Sequence, residues 1–240
     1  MAIQTRLIEY THEDEVLEAF MAWDDASTEP RPGVLVSHAF RGREEFECDR
    51  ARQLAEMGYV GFALDLFGKG VAAETNEQAF ELMSRFTNDR ALLRRRLGAC
   101  VEVAQAQAEI DAAQLAAIGY CFGGLCVLDM ARAGLPVAGV CSFHGILAST
   151  EEDGSAPIST RILVEHGWAD PMVEPDAVVA FAAEMDASRA DWQLHAHGGA
   201  LHAFTNPGAN DPDFGTVYDP AADQRSWQSL SNFLTELFGS

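Results

Sequence analysis

The stretch Leu115-Ala116-Ala117-Ile118-Gly119-Tyr120-Cys121-Phe122-Gly123-Gly124 leads from a short apolar run, past a cysteine flanked by glycines, into the helix-like segment Leu125 to Ala133. A strand that turns at once into a helix fits the pattern G-x-[SC]-x-G, in which small residues two before and two after the centre permit a tight turn. The central Cys121 is then expected in a strained conformation. The new helix would aim its first amides at the sulfur, where its dipole favours a thiolate and the Phe122 N–H can donate to an oxyanion. Two blander readings fit part of the stretch, since glycine-rich turns of this kind also cradle phosphates and a buried cysteine is commonly a small hydrophobe. The stretch lacks the Lys-Ser/Thr of a P-loop and matches the dinucleotide fingerprint poorly, which weighs against phosphate.

The same alternation extends in both directions. Arg6 to Tyr10 and Val16 to Trp23, separated by the polar Thr11 to Glu15, read as a hairpin. Residues 33–38, 59–66, 115–120, 137–144, 161–166 and 192–197 read as strands. Helices are expected over 44–57, 91–106, 125–133, 176–185 and 224–238. The strands are continuous apolar runs rather than alternating ones, which predicts an α/β fold with a mostly parallel central sheet and helices on both faces. No repeat, low-complexity tract or Gly/Ser/Pro-rich linker interrupts the 240 residues, so one domain over 1–240 is expected.

Composition narrows the function. Apolar residues make up 48% of the chain, ample for one core, and the formal net charge of -21 repels phosphate backbones and anionic membranes. Neither nucleic acid nor a membrane is an expected partner. The N-terminus lacks the apolar region of a signal peptide and no stretch approaches membrane-spanning length, pointing to the cytoplasm. Five scattered cysteines, Cys48, Cys100, Cys121, Cys126 and Cys141, lack metal-ligand spacing and suit a reducing compartment.

In a parallel sheet, ligands bind beyond the carboxyl ends of the strands. The residues at those ends are His38-Ala39-Phe40, Asp65, Cys121, His144, Asp170 and the loop around His202. A nucleophile at the elbow needs an acid after a later strand and a histidine after a still later one. Asp170, in Gly167-Trp168-Ala169-Asp170-Pro171, and His202, in Gly198-Gly199-Ala200-Leu201-His202, occur in that order. Asp170 would fix the tautomer of His202, which would hold the Cys121 proton or stabilise its thiolate. Taken singly, Asp170 is an ordinary turn or cap residue and His202 an ordinary surface or core histidine. Their joint order gives them weight.

The chain resembles the dienelactone hydrolase family of α/β-hydrolases over nearly its whole length. Gly119-Tyr120-Cys121-Phe122-Gly123-Gly124 and His202-Ala203-Phe204-Thr205-Asn206-Pro207 together carry the resemblance, supported by Pro32 to His38, Ala51 to Gly70 and His166 to Pro171. The resemblance implies an α/β-hydrolase fold and a Cys121-His202-Asp170 triad. It also implies a carboxylesterase-like action on small esters or lactones with neither metal nor cofactor. The Phe122 and Phe40 amides would form the oxyanion hole. Many members carry a glutamate where this chain has Ala39, and that carboxylate is thought to interact with the resting thiol. Here the thiol is left to His202 and the helix dipole.

Substrate contacts are less sharply marked. His38, Arg41, Arg85, His144, Trp168 and Phe204 are candidates, with Phe40 and Phe122 completing an aromatic rim. The competing readings are solvated arginines, core aromatics and histidines that hydrogen-bond loops. His195 and His197 share one face of a strand and read as core or surface residues, not metal ligands. Arg94 to Arg96 reads as a solvated helix face, Asp65 as a cap and the Trp227 to Phe238 stripe as core. Two alternatives to an ester hydrolase stay open: a catalytically silent ligand binder or oxidant sensor working through Cys121, and a hydrolase of thioesters or activated amides. A monomer or small homo-oligomer is expected.

Overall fold

The computed structural model describes residues 2–26, 28–150 and 156–239. Its eight-stranded sheet has the order β1-β2-β4-β3-β5-β6-β7-β8. The strands β1 (Ile3–His12) and β2 (Glu15–Asp24) form an antiparallel hairpin longer than the sequence suggests, with Ile3 opposite Asp24 and His12 opposite Glu15. Strand β4 (Val60–Ala63) pairs antiparallel with β2 and parallel with β3 (Arg31–Ser37). From β3 the sheet runs parallel through β5 (Ile110–Tyr120), β6 (Gly139–Phe143), β7 (Arg161–Gly167) and β8 (Trp192–His197). All of β4 and β6 is buried, as continuous apolar strands covered on both faces must be.

Two apolar layers sandwich the sheet. On one face, Cys48, Ala51 and Leu54 of α1 (Glu45–Glu56) pack with Leu230, Phe233 and Leu234 of α6 (Pro220–Phe238). The other face takes Leu93, Leu97 and Val101 of α3 (Arg90–Gln105), Leu125 and Leu128 of α4 (Phe122–Arg132), and Phe181 and Met185 of α5 (Pro175–Ala187).

Other local readings change as well. Helix α2 (Asn76–Thr87) lies where the sequence reading assigns no element, although a Thr75–Gln78 capping box starts it and Ala79, Leu82, Met83 and Phe86 recur at helical spacing to face the core. Strand β4 stops at Ala63 rather than continuing to Leu66, because the Asp65 carboxylate accepts the N–H groups of Glu18, Phe67 and Gly68 and turns the chain. Helix α4 begins at Phe122, three residues early, since the elbow is itself its first turn. The arginine run is split: Arg95 is exposed, whereas Arg96 is fully buried, donating to His12 Nδ1 (2.8 Å) and Leu66 O (2.8 Å) and pairing with Glu15 at the hairpin turn.

Candidate active site

The carboxyl ends of β3, β5, β6, β7 and β8 converge on one edge. Cys121 follows β5 with φ 55° and ψ -114°, a left-handed conformation that costs an L-residue energy and persists only where its surroundings enforce it. The enforcement is steric. A Cβ on Gly119 would lie 2.0 Å from Gly123 O, and one on Gly123 would lie 2.2 Å from Ser37 O, so only glycines let strand, turn and helix approach this closely. The Cys121 N–H donates to Phe143 O (3.1 Å), and its side chain sits, part-exposed, at the N-terminus of α4.

Asp170 and His202 meet from separate loops. The His202 Nδ1–H donates to Asp170 Oδ2 at 2.7 Å, and both residues are buried. Asp170 is held in turn, because its other oxygen accepts Met172 N–H at 2.8 Å. The His202 backbone is clasped by a small hairpin of β9 (Asn210–Asp211) and β10 (Thr216–Val217): its N–H donates to Gly215 O (3.0 Å) and its carbonyl accepts Val217 N–H (3.1 Å). Gly215 has φ 84°, and a Cβ there would stand 2.3 Å from Pro171, next to Asp170. That glycine lets one hairpin brace both loops, so much of the 206–219 segment serves as a support for His202.

The second ring nitrogen of His202 is buried without a hydrogen-bond partner among the described residues. Burial opposes charging of this ring, but the Cys121 thiolate and the Asp170 carboxylate outweigh it and raise the His202 pKa to about 10. With Nδ1 taken by Asp170, the influence of Cys121 is exerted on the Nε2 side, as a close electrostatic neighbour short of a well-formed hydrogen bond. Below the imidazole lies His144, with ring centroids 5.0 Å apart. Burial and the charge of His202 push the His144 pKa well down, so it stays neutral, and its Nε2 shares a hydrogen bond with Thr205 Oγ1 at 2.8 Å.

Most candidate substrate contacts lie elsewhere. His38 is fully buried with both ring nitrogens engaged, on Ala39 O and Leu66 N–H, which leaves it nothing to offer a substrate. His144 is buried beneath His202. Phe204 is buried against His144 and His197, and the Phe122 side chain is buried among His38, Phe67 and Phe86, so neither ring forms a rim. Arg85 pairs with Glu15. Arg41 is spent on Asn76 Oδ1 (2.8 Å) and lies over Phe40. Phe40, set edge-on to the exposed Phe80, and Trp168, 48% exposed, are the aromatics left open to solvent near these loops.

Three residues escaped the sequence reading. Glu165, fully buried on β7, accepts from His195 Nδ1 (2.9 Å) and His197 Nε2 (2.7 Å) of the adjacent β8, a carboxylate partner invisible along the chain because strand pairing supplies it. Glu47, buried in the first turn of α1, accepts the N–H groups of Ala39 (3.3 Å) and Glu44 (2.9 Å). Its signal is an E-x-x-E variant of the capping box, disguised by a glutamate at the N-cap where Ser or Thr is usual. His166, in the same stretch as Asp170, keeps a buried Nε2 without a partner among the described residues. Among those residues no cluster of three or more His, Cys, Asp or Glu is arranged to hold a metal, and no helix is long and apolar enough to cross a membrane.

Comparison with known proteins gives a consistent set of relatives. The dienelactone hydrolase family model matches residues 17–238. A solved structure named m3DLH is 36% identical with a TM-score of 0.94, each chain covered over 100% of its length. A dienelactone hydrolase-like promiscuous phosphotriesterase from metagenomic libraries is 34% identical, again with a TM-score of 0.94 and 100% coverage of both chains. A Bradyrhizobium protein described as a "Probable 2-oxo-3-(5-oxofuran-2-ylidene)propanoate lactonase" is 25% identical over 85% of this chain and 83% of its own.

Proposed function

The chain belongs to the dienelactone hydrolase family, and from that premise we propose that its 240 residues act as a single-domain hydrolase of small carboxylic esters or lactones through Cys121, His202 and Asp170. One observation carries the reading: the His202 ring gives Nδ1 to Asp170 and keeps Nε2, which has no hydrogen-bond partner among the described residues, for the side influenced by Cys121. A proton can therefore pass between the nucleophile's side and the substrate while the acid fixes the tautomer.

In the proposed reaction the Cys121 thiolate adds to the substrate carbonyl, and the oxyanion that forms is met by the Phe122 and Phe40 N–H groups. Charged His202 supplies the proton its high pKa lets it hold at neutral pH, passing it from Nε2 to the departing alkoxide as the C–O bond breaks. Neutral His202 then takes a proton from water, the hydroxide attacks the thioester, and the thiolate leaves to restore the ion pair. No carboxylate at position 39 is required, because the charge opposite the thiolate comes from His202. A thiolate leaves more readily than an ordinary alkoxide, so the first intermediate from a simple alkyl ester tends to collapse backward. Aryl esters and strained lactones are the favoured substrates, and the lactonase description of the Bradyrhizobium relative is in keeping with that class.

The test is intact-protein mass within seconds of mixing with a chromogenic aryl ester. Native protein should show an acyl adduct that forms and decays, Cys121→Ala none, and His202→Ala an adduct that fails to form or persists. Reversible oxidation of Cys121 without any acyl adduct or product release would favour the oxidant-sensing alternative.

A further inference from the structure

We infer that Glu47, together with His38, is a positioning residue that locks two consecutive peptide planes of the oxyanion loop and so aims the Phe40 N–H at the carbonyl being attacked. This rests on the proposed role of Phe40 as an oxyanion donor. The first plane, between His38 and Ala39, is pinned by its N–H, which donates to Glu47 Oε1 at 3.3 Å. The second, between Ala39 and Phe40, is pinned by its carbonyl, which lies 2.7 Å from His38 Nδ1 and also accepts Gly42 N–H at 3.3 Å.

The direction of the histidine bond follows from its other end. Leu66 N–H can only donate, so His38 Nε2 accepts (3.2 Å), and the neutral ring must carry its proton on Nδ1 and donate to Ala39 O. Burial lowers the His38 pKa, which keeps the ring in this neutral form. Because a trans peptide is planar, fixing the Ala39 carbonyl fixes the Phe40 N–H in the opposite direction. That N–H has no acceptor among the described residues, so its hydrogen-bonding capacity remains available for a developing oxyanion.

Glu47 is built for this task at a cost. A carboxylate that is 2% exposed is expensive to bury, and burial drives its pKa up to about 7 against the opposing pull of the Glu44 and Ala39 N–H groups. A helix cap alone could face water. Glu47 instead reaches inward and uses one oxygen on the cap and the other on the oxyanion loop.

The experiment compares two reactions of the same sulfur in full-length native, Glu47→Ala, Glu47→Gln and His38→Ala proteins. Acylation by an aryl ester passes through an oxyanion; alkylation by iodoacetamide does not. For Glu47→Ala and His38→Ala, the expected result is a kcat and acylation rate lower by roughly 10- to 100-fold, with KM and the alkylation rate changed by no more than about twofold. Glu47→Gln, which keeps one acceptor oxygen and the native shape, should lose about 3- to 10-fold with the same split, and it carries the test if the alanine variants do not fold. Equal loss of both reactions, or unchanged acylation, would overturn the assignment. If native protein is alkylated at Cys121 but never acylated, the hydrolase reading fails and the assignment with it, a result distinct from native turnover that is insensitive to Glu47.

Discussion

The molecule builds two histidine–carboxylate groups at neighbouring strands, and they differ in which ring nitrogen each partner uses. In the first, Asp170 holds Nδ1 of buried His202, while Cys121 acts from the Nε2 side. In the second, Glu165 and the Ser229 hydroxyl both approach Nδ1 of His195, each at 2.9 Å, and the other Glu165 oxygen is taken by His197. Serine, histidine and acid are all present there, yet they cannot act as a relay, because hydroxyl and carboxylate compete for one nitrogen instead of sitting across the ring. His195 is also 46% exposed and lacks the enclosure that gives His202 its electrostatic leverage. Opposed use of the two nitrogens, rather than residue identity, separates the proposed catalytic group from the structural one.

The largest expected effects break this contrast directly. Cys121→Ala or His202→Ala should cut turnover of an activated ester by about 10³-fold or more, whereas Ser229→Ala should leave it within about twofold. Equal losses from the two groups in steady-state kinetics would erase the distinction. Next in size, Asp170→Asn should lower kcat by roughly 10² to 10⁴-fold because the amide no longer enforces the productive tautomer. The matching Glu165→Gln change should spare kcat and instead lower stability by about 1–3 kcal/mol, read as an earlier urea midpoint, since buried charge-assisted hydrogen bonds are lost.

A third measurement sharpens the electrostatics. The charge of Cys121 helps hold His202 at a pKa of about 10, so Cys121→Ala should move the His202 NMR titration down by more than about one unit. The sign for stability follows from linkage. A histidine whose pKa is raised on folding contributes fully below its unfolded value near 6.5 and loses that contribution as pH climbs through about 10. Native stability should therefore decline over that alkaline window, and the decline should be shallower in Cys121→Ala.

The smallest effect concerns Glu47 and has a different window. As a carboxyl whose pKa is raised from 4.5 to about 7 by burial, it favours the folded state most when protonated. Its contribution should fall as pH rises from 4.5 through 7, by at most on the order of 3 kcal/mol, and Glu47→Gln should flatten that slope in denaturation curves measured across the range. Beside burial, the Glu44 carboxylate adds to this upward shift and the Glu44 and Ala39 amides oppose it, while the Glu47 charge adds to the rise that burial imposes on the Tyr120 hydroxyl.

Much of this was legible along the chain. Glycines two before and two after Cys121 announced the elbow because a tight turn has a local steric requirement, and the observed contacts of Gly119 and Gly123 are that requirement met. The order of cysteine, aspartate and histidine placed the candidate group because successive parallel strands deliver their ends to one edge. Local pattern failed for Arg96, whose burial depends on Glu15 and His12 across the hairpin turn, whereas α2 carried a local signal, a capping box before apolar residues at helical spacing, that the sequence reading passed over.

Sequence by itself determined the alternation of strands and helices, the strained cysteine and the candidate residues, since these follow from periodicity and short-range sterics. Only the tertiary structure decided which groups face one another. It gave Glu165 to two histidines, brought Glu47 to the Ala39 amide, turned Phe122 and Phe204 into the core, and left His202 Nε2 buried without a hydrogen-bond partner among the described residues. The physical reason is range: propensity and turn geometry act over a few residues, whereas hydrogen bonding and desolvation depend on neighbours that only folding brings within a few ångströms.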